Sequence, residues 1–223
     1  MGNVAPGTFY LSKHRLEALT DGIFAVAMTL LVIELKIAET THITTSEQLV
    51  DAVLHLIPKF IAWLISFFVL AIFWASHHRL FHFVRVVDTK LTWMTLGYLA
   101  GVSLMPFSSA MTGEYGGALL AQILYSSNMA LLAVLALLKS RYVHLHPELC
   151  STAMPVGIFK AARLRTTGLI AVAVAAILIT WALPGMGGIG NIAFMLMIVF
   201  GKIGRRIEAR HASETTEANF LNT

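Results

Sequence analysis

The sequence contains a single cysteine, Cys150, in 223 residues, which excludes an internal disulfide and any metal site built from cysteines. Charge is also scarce. Only 13% of the residues are Asp, Glu, Lys or Arg against 57% hydrophobic, and a mean hydropathy of +0.75 leaves too little polar surface to cover a soluble globule of this size. No cleaved secretory signal is expected, because the one small-x-small triplet, Ala25-Val26-Ala27, lies inside an apolar run that continues to Ile33. The start, Met1-Gly2-Asn3-Val4-Ala5-Pro6, lacks the hydroxyl residue that N-myristoylation requires. No internal repeat is visible, so a pathway around an axis needs several copies of the chain.

The sequence does contain a series of apolar runs, each near the 20 or so residues that a bilayer-spanning helix requires. They predict an all-α integral membrane protein with spans at about 15–36, 49–78, 91–110, 117–139, 166–183 and 188–204, one domain over residues 1–204, and a polar tail over 205–223. Six spans put both termini on one side. With that side cytoplasmic, fourteen of the sixteen Lys and Arg fall on it, leaving only Lys36 and Lys59 on the other face, so the termini and the tail are expected in the cytoplasm. The net positive charge thus brackets the spans, and no nucleic-acid partner is expected. Thr44 and Glu47 fit a capping box ahead of the second span, and Pro58 is expected to kink that span. Residues 140–165 read as a basic cytoplasmic connector, and Pro184–Gly188 as a tight outer hairpin.

Charged residues inside a span are costly and face a protein interior or a water path. The first span carries Arg15 and Glu17 at its mouth, Asp21 further in and Glu34 near its far end. Asp21 lies six residues after Arg15, about 9 Å along the axis and on a different face, so its partner must come from another helix. The antiparallel second span supplies Trp74 and His77 at the same depth, which makes a contact from either to Asp21 reasonable. The other reading of Asp21 is a near-surface carboxylate. Beyond it, Val26, Leu30 and Ile33 share one face at i, i+4 and i+7. On spacing alone, such a stripe faces lipid or core.

Arg15-x-x-x-Leu19-Thr20-Asp21, followed by Gly22-x-Phe24-Ala25 and Thr29-Leu30-Leu31-Val32-x-Glu34, resembles the Arg-x-x-x-Phe-Ser-Asp signature of the bacterial transmembrane-protein-175 potassium channels. The likeness continues through Ser66-Phe67 to Trp74 and His77, and through Leu104-Met105-Pro106-Phe107 to Gly113-Glu114-Tyr115. Spans four to six match only in number and hydropathy. Leu19 stands where the signature has Phe and Thr20 where it has Ser. The resemblance implies a potassium-selective channel in a bacterial inner membrane, a homotetramer with four first helices around the axis. Val26 then forms the narrowest apolar ring, Leu30 and Ile33 the next rings outward, and Thr29 a hydroxyl layer beside them. Arg15, Thr20, Asp21, Trp74 and His77 would form a polar network tying the first helix to the second. Glu34, four per tetramer, would raise the cation concentration at the outer mouth. No Thr-Val-Gly-Tyr-Gly loop is present to supply a carbonyl filter, so selection would rest on an apolar constriction that gates by dewetting. No cofactor is expected; K+ is the permeant ion.

Two other classes compete. His78 and His82, at i and i+4 in His77-His78-x-x-x-His82, have the spacing of a shared metal site in a membrane enzyme, but the one Glu-x-x-His pair, Glu39 with His42, falls in an outer loop. A secondary transporter would show matching Gly- or Pro-broken helices in two halves. Here Pro58 and Pro106 lie in the first half and Pro184 falls in a loop.

Overall fold

The computed structural model describes residues 12–36, 44–152 and 155–183, together with Phe194 and Ile203. The predicted sixth span, the hairpin before it and the tail lie outside these residues apart from those two positions. The described chain is helical: α1 (Lys13–Ile33), α2 (Ser46–His55), α3 (Ile57–Phe83), α4 (Thr89–Ser103), α5 (Met105–Glu114), α6 (Leu119–Leu145) and α7 (Val156–Ala182), with a short 3-10 turn at Pro147–Leu149. Among the described residues, the only strand-like pairing is an isolated bridge between Val84 and Cys150. Four helices, α1, α3, α6 and α7, are long and apolar enough to cross a membrane.

Proline sets the main departures from the predicted spans. The second span was expected to run through Pro58 with a kink; instead the chain breaks at Leu56 into α2 and α3, and Pro58 sits in the first turn of α3. The first turn tolerates proline because its N–H groups have no intrahelical acceptor, whereas an interior proline clashes with the preceding turn. Pro106 acts in the same way. It starts α5 after a break at Leu104, so the predicted third span is made of two successive helices, α4 and α5, neither of which reaches bilayer length alone. The cap of α2 also shifts by one residue: the reciprocal pair is Thr45 with Gln48, not Thr44 with Glu47. Much of the connector expected over residues 140–165 is helical. α6 runs on to Leu145 and α7 already starts at Val156, because the charged residues at these ends are as compatible with helix as the apolar ones before them.

Tight packing comes from small residues. Ala133 of α6 and Ala173 and Ala176 of α7 are buried in the main core cluster, and at Gly101 of α4 an added Cβ would stand 2.9 Å from Leu132 Cδ2 of α6, so a larger residue there would make Leu132 shift. Close backbone approach of this kind holds membrane helices together where lipid is as apolar as the side chains. Phe24, Leu70, Phe73, Tyr98, Met129 and Leu169 belong to the main core cluster, so α1, α3, α4, α6 and α7 share one interior. Polar links reinforce it. Ser66 Oγ lies 2.8 Å from Ser109 Oγ and 3.0 Å from Tyr125 Oη, and Asn128 Nδ2 donates to Ser108 Oγ at 3.2 Å, joining α3, α5 and α6.

A second cluster closes the end of the bundle where α3 finishes and α4 begins, with Leu16, Phe81, Val84, Val143 and Cys150 among its members. Asp88 caps α4 by accepting from Leu91 N and also accepts from the Tyr142 hydroxyl. Burial first, then the neighbouring Glu148 carboxylate, pushes the Cys150 thiol up from its ordinary value, which keeps it protonated and unreactive.

Candidate functional site

Helix α1 starts where Ser12 accepts from the Arg15 backbone N–H, and it ends at Ile33 with Glu34 as C-cap. Its two faces have different fates. Leu16, Thr20, Phe24, Ala27 and Leu31, spaced at three to four residues, are buried against the rest of the bundle. At 100° per residue, Gly22, Val26, Thr29 and Ile33 lie around the opposite side and Leu30 on its flank. There Val26 is 56% exposed, Leu30 42% and Ile33 48%. Of the two readings that spacing left open for this stripe, core is therefore excluded in the single chain.

Thr29 belongs to the exposed side, and its hydroxyl donates to the carbonyls of Ala25 at 3.0 Å and Val26 at 2.9 Å. Donating inward leaves the oxygen lone pairs facing out. Thr20, by contrast, is buried, and its hydroxyl donates to Leu16 O at 2.8 Å, so it serves its own helix and makes no bridge to another.

The partner sought for Asp21 is Trp74: the indole Nε1–H donates to Asp21 Oδ1 at 2.8 Å and so fastens α1 to α3. The Trp74 ring stacks on His78, with centroids 5.8 Å apart. His77 turns the other way. It is buried, its Nδ1 lies 3.0 Å from Lys139 Nζ, and its ring stacks on Phe81 at 4.1 Å. The five residues expected to form one network are thus divided: Asp21 and Trp74 meet, His77 joins α6, Thr20 bonds within α1, and Arg15 is exposed. Trp74→Phe keeps an aromatic ring, smaller than the indole, and removes the donor. The bond is exposed, so its net contribution is on the order of 0.5–1.5 kcal/mol, and this variant and Asp21→Asn are each expected to lower the unfolding midpoint by a small amount. In a double-mutant cycle the pair should show coupling of that size, and additive losses would mean that the bond contributes nothing.

At the far end of α1, Glu34 lines a shallow pocket with Lys59, Ser109, Glu114 and Tyr115, and Lys59 forms an ion pair with Glu114. The end of α1, the start of α3 and the end of α5 therefore share one end of the bundle, as alternating spans require. Sequence reasoning missed Glu114 as a neighbour of Glu34, and it missed Lys139. Lys139 was counted among the surface charges, yet it is 1% exposed and sits with its Nζ 3.4 Å from the centroid of the Tyr98 ring. The signal was present, since Lys139 follows Leu132 by seven residues and precedes Val143 by four, on the stripe that α6 buries. His78 and His82 are exposed, and among the described residues no three His, Cys, Asp or Glu side chains stand together as a metal site would need.

Comparison with known proteins matches residues 15–106 to the family described as endosomal/lysosomal potassium channel TMEM175. A potassium channel of Chamaesiphon minutus is 38% identical over 101 residues, 45% of this chain and 49% of that protein. A potassium channel of Chryseobacterium sp. is 34% identical over 103 residues, 46% of this chain and 50% of that protein. The chain thus spans about half the length of the curated relatives it matches. The crystal structure of a lysosomal potassium-selective channel TMEM175 homolog from Chamaesiphon minutus superposes with a TM-score of 0.69 at 27% identity, covering 86% of this chain and 97% of that one. In sequence over residues 15–106, and in fold over most of its length, the chain resembles the TMEM175 potassium channels.

Proposed function

We propose that this chain is a potassium-selective channel of a bacterial inner membrane, a homotetramer of six-span subunits with cytoplasmic termini, conducting K+ passively between four copies of α1. The observation that carries this reading is the half-exposed outer side of α1, where Val26, Leu30 and Ile33 form an apolar stripe left uncovered by the subunit over about half of its surface, interrupted by the Thr29 hydroxyl. A helix turned to lipid alone needs no such hydroxyl. Around a fourfold axis the same face forms stacked rings, with Val26 as the narrowest.

The mechanism follows from hydration. An apolar ring holds water poorly, so an ion crosses it only by giving up part of its shell. Potassium, the larger ion, gives up water at lower cost than sodium, and the outward lone pairs of four Thr29 oxygens replace part of what is lost. Glu34 collects cations at the outer mouth and Asp21 with Trp74 holds each α1 in register with its own subunit. Nothing in this scheme requires a catalytic group or a cofactor.

The test is flux. Purified full-length protein in liposomes is expected to pass potassium faster than sodium down a gradient, with no change on adding a chelator. Equal rates for the two ions would refute selectivity, and no flux at any imposed voltage would refute the channel.

A further inference from the structure

Helix α2 (Ser46–His55) differs from the other described α-helices in burying none of its residues. It is not needed to cross the bilayer. The 27 residues of α3 extend about 40 Å at 1.5 Å per residue, more than a hydrocarbon layer of about 30 Å. α2 therefore stands at or beyond the membrane surface, at the end of the bundle where Lys59 pairs with Glu114. The helix ladder does not continue across Leu56. Its N–H donates to Val53 O at 3.0 Å, Pro58 has no N–H to give, and the Phe60 N–H donates to Leu56 O at 2.8 Å. Among the described residues no backbone bond runs from α3 back into α2, so α2 is not held to the axis of α3.

The side chains of α2 are sorted by kind. At 100° per residue, Leu49, Val50, Val53 and Leu54 fall within an arc of about 140°, and Glu47, Asp51 and His55, at steps of four, fill the opposite side. The four aliphatic side chains are between 45% and 57% exposed. An isolated helix shorter than about 12–15 residues is marginal in water and persists when an apolar face is packed. The N-terminus of α2 is secured, because Thr45 and Gln48 cap one another, but the described subunit leaves the apolar arc half uncovered. That arc runs on into the spanning helix: steps of four from Leu49 and Val53 reach Ile57 and Ile61, both exposed, with exposed Phe60 beside them. The apolar surface of α2 is thus continuous with that of a helix long and apolar enough to cross the bilayer. The carboxylates of Glu47 and Asp51 are repelled by an anionic surface, so the charge pattern fits a zwitterionic one.

We propose that α2 is an interfacial helix that docks on the bilayer surface at this end of the bundle, the outer one in the orientation proposed above. Leu49, Val50, Val53 and Leu54 enter the boundary between headgroups and acyl chains, and Glu47, Asp51 and His55 face water. Amphipathic helices of this kind sink their apolar faces about 5–10 Å into that boundary. α2 follows α1 in the chain and leads into α3, so the bilayer surface holds the chain between the two. The inference concerns the membrane contact of α2 and does not depend on which ion the protein conducts.

The experiment measures the depth of single nitroxide labels on the full-length protein in phosphatidylcholine liposomes. Cys150→Ser removes the native thiol, and Glu47→Cys, Leu49→Cys, Asp51→Cys and Val53→Cys then supply one label site at a time. Collisions with oxygen, which concentrates in the bilayer, are compared with collisions with a nickel chelate, which stays in water. The oxygen-to-nickel ratio is expected to be several-fold higher at positions 49 and 53 than at 47 and 51. Ready access of the nickel chelate to all four positions overturns the proposal, because the helix then stands in water. Labels at 49 and 53 shielded from both reagents overturn it as well, because protein, such as a second copy of the chain, then covers the arc. As a second measurement, a label at Val50→Cys is expected to favour oxygen and to lose that preference when Leu49→Asn and Val53→Asn are added. An unchanged preference in that variant means that the apolar arc does not hold the helix to the bilayer, and overturns the proposal.

Discussion

Val26→Asn is expected to raise passive potassium flux through liposomes by about tenfold and to bring sodium flux close behind it. A tenfold change corresponds to about 1.4 kcal/mol on the barrier, a modest demand for the four amides that would replace four isopropyl groups in the proposed ring. The amide supplies both donors and acceptors, so the constriction stays wet and a partly stripped ion finds oxygen ligands there. Discrimination falls for the same reason: once the ring repays the water that sodium gives up, the difference in dehydration cost no longer separates the ions. Val26→Leu should act in the opposite direction, because the larger side chain narrows the ring. If Val26 faced lipid, neither substitution would move the ratio of the two fluxes, and the asparagine would only make the helix less favourable in the bilayer. An unchanged potassium-to-sodium ratio in folded Val26→Asn protein therefore removes Val26 from the pathway.

How much of this arrangement was legible in the sequence depended on which physical signal a residue carried. Helix α1 was placed within a few residues because an apolar run bounded by Ser12 and Glu34 leaves little freedom. Trp74 could be matched to Asp21 because two antiparallel spans of known length put equal depths side by side, and an indole N–H has few acceptors to choose from. Depth alone did not tell Trp74 from His77. One residue in three or four separates a helix face toward α1 from a face toward α6, and no sequence signal specifies which neighbour stands on which side. The breaks at Leu56 and Leu104 were marked by proline, but whether Pro58 kinks a helix or starts one turns on the exact first-turn position. Lys139 was hidden by a counting rule: the positive-inside argument takes each lysine as a surface charge, and a buried one contributes to the count just the same.

The two-faced character of α1 makes its sharpest prediction from residues only two apart. Phe24 is 1% exposed, with its ring 5.9 Å from that of Tyr98, whereas Val26 faces away from the bundle. In water, truncating a buried phenylalanine would forfeit both a transfer term and a cavity term; within a bilayer the transfer term largely vanishes because lipid tails are as apolar as the core. The cavity term remains. At about 24 cal/mol per Å³, a void of roughly 100 Å³ costs about 2–3 kcal/mol, so Phe24→Ala should lower the unfolding midpoint well below that of the wild type. Val26→Ala empties no packed space within the subunit and is expected to change stability by less than about 0.5 kcal/mol. Flux should invert the order. A smaller ring conducts more per folded channel, while loss of Phe24 leaves the ring chemistry intact and acts through the number of folded copies and the tilt of the helix. Unfolding in increasing dodecyl sulfate, run beside liposome flux normalised to folded protein, separates the two effects. Equal destabilisation by both substitutions would place Val26 in a packed contact between subunits, and the ring lining the axis would then have to be sought among Gly22, Thr29 and Ile33 on the same side of α1.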